Sequence, residues 1–222
     1  MITDLQTAKE IDMSSANKRG RIVIDPGHGR YGNAHTTKEG FYEGTQNFIL
    51  ATYLKEYLEK RGFFVELTRK DINDDPSLSE RGYMARGACM FISLHSNAPG
   101  DPQNDYERSI YHTHRGAETY YSLSDVENNS ILAKMLNDAV VSCMQTKDRG
   151  IKTREYPDRP GIDYYGVLRY SAEAGCSRAV IIEHGFHTNP EDSAFLQKDA
   201  CLKKLAKIEA EAIDKYFAEN TL

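Results

Sequence analysis

Three short, largely apolar runs, each ending in a group able to do chemistry, limit the architectures open to this chain. Arg21-Ile22-Val23-Ile24-Asp25 stops at Pro26-Gly27, Met90 to Leu94 runs into His95-Ser96-Asn97, and Ala179-Val180-Ile181-Ile182 runs into Glu183-His184-Gly185-Phe186. A run apolar at nearly every position, rather than at alternate ones, reads as a strand buried on both faces. Weaker runs predict strands over 63–68, 117–123 and 151–154. Helical patterns lie between them. Over 45–61, Phe48, Leu50, Tyr53, Leu54, Tyr57 and Leu58 recur three and four apart, with Gly62 as the stop. Residues 76–88 read as a helix with Pro76 near its first turn. Over 125–144, Ile131, Leu132, Met135, Leu136, Ala139, Val140 and Cys143 share a face. Asn189-Pro190 opens a short helix, and a terminal helix covers 201–217. Residues 99–114 and 154–166 read as loops. The expectation is an α/β fold: a single domain with a twisted, mostly parallel sheet of about six strands and helices on both faces. It occupies residues 21–222, and residues 1–20 read as a leader or linker.

Length and charge narrow the function classes. A chain of 222 residues is one domain by size and long enough to bury its own core. Its 28 basic and 33 acidic residues leave a net charge of −5, which argues against a nucleic-acid partner. No run approaches the ~18 apolar residues of a membrane span, and the polar N-terminus lacks the apolar core of an export signal. Cys89, Cys143, Cys176 and Cys201 are widely spaced with no CxxC pair, so free and mostly buried thiols are expected.

In sheets of this kind, function gathers at the carboxyl ends of the strands. His28, His95 and Glu183 stand just beyond three such ends, and Glu43 precedes the first helix. A single histidine at a strand end is more often a hydrogen-bonded core residue than a ligand; several at one edge change that balance. Two imidazoles and one carboxylate suit zinc and leave a fourth position for water. A zinc ion lowers the pKa of that water and polarises a carbonyl. A second carboxylate then takes the water's proton and passes it to a leaving nitrogen. Spacing alone leaves open which of Glu43 and Glu183 is ligand and which is base.

The motifs resemble one family. Ile24-Asp25-Pro26-Gly27-His28-Gly29, Glu43 with Asn47, Leu67-Thr68-Arg69, Leu78-Ser79-Glu80-Arg81 with Ala85, Phe91 to Ala98, Gly166-Val167-Leu168-Arg169, and Ile182 to Phe186 with Asn189 occur in order. Over about residues 21–217 the chain resembles the zinc-dependent N-acetylmuramoyl-L-alanine amidases. The resemblance implies a sheet of about six strands flanked by helices, and hydrolysis of the amide between the lactyl group of N-acetylmuramic acid and L-alanine in peptidoglycan. It implies one Zn2+ per chain held by His28, Glu43 and His95, with Glu183 as the catalytic acid and base. It departs from the usual pattern at His184 and His187, at Arg86, and in a longer loop over 99–114. Other outcomes are a zinc carboxypeptidase acting on stem peptides and a wall-binding module without catalysis.

Asn97, Arg169 and His187 are candidate substrate contacts. Asn97 alternatively caps a turn, and His187 alternatively supports the ligands or simply packs. Arg69 and Arg81 read as partners in structural ion pairs. His35, His112 and His114 fall in loops, the last two spaced for one side of an extended segment. Tyr156, Tyr164, Tyr165 and Tyr170 form either a contact surface for glycan or peptide or a half-buried patch. The expected setting is the cell wall or extracellular space. Nothing in the sequence fixes the oligomeric state, and a monomer is expected.

Overall fold

The computed structural model describes residues 19–33, 41–100 and 103–220. Most of the leader read over residues 1–20, and His35, lie outside the described residues. The apolar runs form the middle of a six-stranded sheet: β1 (Arg21–Pro26), β3 (Met90–Asn97) and β8 (Ala179–Phe186). β2 (Phe64–Leu67) flanks β1 at one edge, while β4 (Ala117–Tyr121) and β5 (Asp148–Lys152) complete the other, in the order β2-β1-β3-β8-β4-β5. Every neighbouring pair is parallel except β4 with β8, which runs antiparallel.

Alternation along the central strands sorts their side chains between two layers of helix. Ile22, Ile24, Ile92, Val180 and Ile182 join the larger core with residues of α1 (Glu43–Glu59), α4 (Val126–Met144) and α7 (Asp199–Glu219). Val23, Phe91 and Ile181 face the other way, toward Ala85, Val167 and Leu168 beside α2 (Leu78–Tyr83) and α5 (Gly166–Glu173). Parity therefore fixes where the polar residues at the strand ends emerge. His95 and Glu183 continue the series on the α2–α5 side and are direct cross-strand neighbours. His184, one residue on, points to the opposite side.

Several sequence expectations need correction. The helix read over 76–88 ends at Tyr83: Ser77 forms a reciprocal capping box with Glu80, and turns follow to Gly87, whose φ is +73°. The segment 99–114 contains α3 (Asp105–Ile110) and a 3-10 turn at Tyr111–Thr113, with Asn104 accepting the Glu107 N–H at the start of α3. Six residues are too few to show a helical period. The loop read over 154–166 contains a hairpin of β6 (Glu155–Tyr156) and β7 (Arg159–Asp163), hidden by Pro160 and Gly161. On α4, Ile131 is exposed and Asn129, Ala133 and Asn137 are buried, because Asn129 and Asn137 bond neighbouring loops and strands from within the apolar stripe. Asn189 caps α6 (Pro190–Leu196) as expected. All four cysteines are free.

The inverted parity of His184 has an energetic consequence. Its ring is 1% exposed, and Nε2 lies 2.6 Å from Oε1 of the fully buried Glu209 on α7. Burial pushes this imidazole down, but the charge and hydrogen bond of Glu209 outweigh it and leave its pKa raised. The stabilisation is complete below the unfolded value of 6.5 and is lost as pH rises through the folded value. Glu209→Ala is expected to cost about 3–5 kcal/mol in denaturant unfolding, because it strands a buried charge. Replacing both residues with apolar ones restores stability and removes that pH dependence. A Glu209→Ala loss under about 1 kcal/mol would contradict a charged pair.

Candidate active site and metal centre

Asp25-Pro26-Gly27-His28-Gly29 turns sharply off β1. His28 adopts φ +60°, a left-handed conformation costly for a residue with a side chain, so the surroundings must hold it there. Gly27 is required because a Cβ would fall 2.2–2.7 Å from the His95 ring. Gly44 is required because a Cβ would lie 1.8 Å from the Gly29 carbonyl. These two contacts seat the turn between β3 and the start of α1. Arg81, 3% exposed, locks it from below. Its guanidinium donates to Asp25 Oδ1 (2.8 Å), the Pro26 carbonyl (2.9 Å) and the His28 carbonyl (3.2 Å). Asp25 also accepts from Thr68 and Ser93 at 2.6 and 2.7 Å. Arg81 is thus an ion-pair partner, as read from sequence. Arg69 makes no ion pair among the described residues: it is buried and donates to the backbone carbonyls of Gly44, Ile72 and Asp74.

Glu43, in the first turn of α1 and fully buried, is the hub of the site. Oε1 lies 3.0 Å from His95 Nδ1 and accepts the Ser96 N–H (2.9 Å) and the Asn47 amide (3.2 Å). Oε2 lies 3.4 Å from His28 Nε2 and accepts from the Asn33 amide. The His28 and His95 rings meet edge to face, 5.0 Å between centroids. One ligand atom each from His28, Glu43 and His95 lie within 4.8 Å of one another, making the one potential metal-binding group among the described residues. Asn33, Ser96 and the Asp25–Arg81 pair are supports that sequence reading did not single out as site residues. Asp25, Ser96 and Arg81 stand within the quoted motifs, whereas Asn33 has no signal beyond lying after His28.

Charge follows geometry. Burial alone would raise the Glu43 carboxyl, but the His95 hydrogen bond and the charges of His95, His28 and His187 bring it below the usual carboxylate range. Burial lowers His95, yet the Glu43 hydrogen bond and charge prevail and raise it. His28 is lowered, chiefly by burial. Glu183 is pushed up to about 7, first by burial and then by the charges of Glu43 and Glu118 against the pull of His95. Its Oε2 is buried with no hydrogen-bond partner. A carboxyl kept near neutrality, unbonded, beside a metal-type donor set suits it to accept and return a proton.

The structure places the remaining candidates unevenly. Asn97 and His187 line a hollow of roughly 410 Å³ with Glu43, His95 and Glu183. Asn97 donates to Glu118 at 3.0 Å, and His187 Nδ1 lies 3.0 Å from Ser96 Oγ, its ring stacked on Phe41. Arg169 is elsewhere. It donates to the Asp163 and Tyr164 carbonyls, packs against Tyr156 and Tyr170, and lines a separate hollow with Arg159 and Asp163. His112 Nδ1 lies 2.9 Å from the Thr188 carbonyl and His114 packs near Phe186, so the two anchor the chain rather than share a metal group.

Comparisons with known proteins agree on one family. The family model for N-acetylmuramoyl-L-alanine amidase matches residues 22–215. N-acetylmuramoyl-L-alanine amidase LytC of Bacillus subtilis is 30% identical over 190 residues, covering 84% of this chain and 33% of LytC. The germination-specific N-acetylmuramoyl-L-alanine amidase of Bacillus subtilis is 25% identical, covering 90% of this chain and 81% of its own. Among solved structures, an N-acetylmuramoyl-L-alanine amidase from Clostridium difficile 630 superposes with TM-score 0.71 at 25% identity, covering 91% of this chain and 98% of that one. The chain thus spans about a third of LytC's length and most of the other two.

Proposed function

Because this chain belongs to the N-acetylmuramoyl-L-alanine amidase family, we propose that it hydrolyses the amide joining the lactyl group of N-acetylmuramic acid to L-alanine in peptidoglycan. The observation that most supports this is the pairing of a His28–Glu43–His95 donor set with an unbonded, near-neutral Glu183 at the same edge of the sheet. The donor set fits zinc: two imidazoles and a carboxylate from three separate segments, with a hollow beside them. When bound there, zinc supplies Lewis acidity, acidifying a water and polarising the scissile carbonyl. His28, Glu43 and His95 hold the ion, while Asn47, Asn33 and the Ser96 N–H keep the Glu43 oxygens aimed.

Glu183 carries the proton. It takes one from the attacking water as the new carbon–oxygen bond forms. It returns that proton to the nitrogen as the carbon–nitrogen bond breaks, so the products are a lactyl carboxylic acid and an L-alanine amine. Asn97 and His187 border the space on the Glu183 side and contact the substrate there; Arg169, in a separate hollow, does not reach the reacting bond. The protein acts at the cell wall, outside the cytoplasmic membrane, as a monomer with one zinc ion. Among the described residues no helix is long and apolar enough to cross a membrane.

Digestion of purified sacculi with the zinc-loaded protein tests the reading. Intact stem peptides with a new L-alanine N-terminus, and bare glycan, are the expected products by mass. Release of single C-terminal residues would make it a carboxypeptidase. Binding to sacculi without any cleavage would make it a wall-binding module.

A further inference from the structure

Two hollows meet at the His28–His95 pair, and they differ in chemistry. The first, described above, is polar, and Glu183 forms part of its wall. The second, roughly 390 Å³, shares His28 and His95 but extends toward the first turns of α2 and α5. Pro76, Leu78, Tyr165, Val167 and Ile181 give it most of its exposed wall, and Ser77, Asp75 and the Asp25–Arg81 pair complete the lining. Glu183 is not part of it. Leu78 is 57% exposed although it is the first residue of a helix packed on the core. Gly166 leaves it room, since a Cβ there would lie 3.0 Å from Leu78 Cδ1. Tyr165 is braced rather than loose: its ring meets Tyr120 edge to face at 4.8 Å and Tyr164 at 5.5 Å. An exposed Leu78 beside a half-buried, braced Tyr165, next to a reactive centre, marks a surface kept for a ligand.

The direction of proton delivery says which half of the substrate goes where. Resting on the amidase reading, Glu183 must reach the departing nitrogen, so the peptide half lies in the polar hollow that Glu183 borders. The acyl half leaves the carbonyl carbon in the other direction, past His28 and His95. We infer that the apolar hollow between the α2 and α5 N-termini is the saccharide subsite, where Leu78 and Tyr165 receive the pyranose ring and N-acetyl group of the muramoyl residue. A pyranose ring presents C–H faces that pack on aromatic and aliphatic side chains, while its hydroxyls meet the polar rim at Ser77 and Asp75. Leu78 and Tyr165 are thus specificity determinants. They distinguish a sugar-bearing lactyl group from a bare one, and their contacts position the carbonyl for attack.

Two substrates with the same dipeptide stem test this: one N-acetylmuramoyl, the other lactoyl with no sugar. In the zinc-loaded protein, Leu78→Ser and Tyr165→Ala are each expected to lower kcat/KM roughly tenfold or more on the muramoyl compound. On the lactoyl compound they leave it within about twofold, since nothing there reaches the subsite. Leu78→Ser guards against a folding failure, because that side chain is mostly exposed. Binding gives a readout apart from turnover. A peptide-free disaccharide containing N-acetylmuramic acid, titrated into the metal-free protein by NMR, shifts resonances of Leu78 and Tyr165, and both variants weaken it. Equal losses on the two substrates, no loss on either, or disaccharide shifts confined to the polar hollow would overturn the assignment. If the parent protein cleaves neither compound, the amidase reading itself fails and the subsite falls with it.

Discussion

Glu183→Gln is expected to lower kcat by roughly 10²–10⁴ while the protein still binds one equivalent of zinc. The amide keeps the shape of the carboxyl but can neither take a proton from water nor hand one to an amine. None of the polar contacts around His28, Glu43 and His95 passes through Glu183, whose Oε2 has no partner to lose. The same substitution should not weaken the metal-free fold. A carboxyl raised from 4.5 to about 7 by burial is a liability above its unfolded value, because ionising it costs more in the folded state. The metal-free Gln variant therefore unfolds at the same temperature as the parent or higher at pH 8. The parent's pH profile carries the complementary sign. Glu183 works as a base only when ionised, so kcat falls as pH drops through its pKa. A cation held by the neighbouring triad pulls that pKa down from its metal-free value, which puts the acid limb below about 7. Full activity in the Gln variant, or an acid limb above about 7, would remove Glu183 from the proton path.

Glu43→Ala attacks the other half of the site. Its carboxylate separates two imidazoles whose rings are 5.0 Å apart and gathers the Ser96 N–H and two side-chain amides around itself. Without it, three donors point into an empty space and the two histidines are left facing one another. Zinc affinity is expected to fall by more than the roughly 10–100-fold typical of losing a supporting group, and turnover to fall to background with it. Thermal unfolding reads this without any substrate. At a zinc concentration about 100 times the parent's Kd, the parent gains roughly 2.7 kcal/mol of apparent stability, and the variant gains less than about 0.4 kcal/mol at the same concentration. Because the metal-free His95 holds its proton against Glu43, zinc uptake near neutral pH releases that proton, which calorimetry in buffers of different ionisation enthalpy detects. An unchanged zinc-dependent shift in Glu43→Ala would show that the ion is held elsewhere.

Much of this was legible in the residues. Largely apolar runs at 22–24, 90–94 and 179–182 specify buried strands, and strand ends carrying His28, His95 and Glu183 specify the edge where chemistry gathers. The capping sequence Asn189-Pro190 likewise carries a local instruction that tertiary packing does not override. The antiparallel direction of β4 was not legible, because an apolar run reads the same either way along a sheet. Short elements such as α3 and the β6–β7 hairpin were missed because they bury too little to impose a period.

The sequence by itself determined which side chains are available and at which ends of which strands they sit, because strand and helix formation answer to local pattern. Tertiary structure alone decided which of them meet. A one-residue step on β8 sends Glu183 to the open face beside His95 and His184 into the core against Glu209, and Arg169 is carried to a different hollow from the histidines its motif accompanies. Two carboxylates that look alike in a string of letters are separated by their surroundings, one clamped by imidazoles and amides, the other half-buried with one oxygen lacking a hydrogen-bond partner among the described residues. Those surroundings are built from residues far away along the chain.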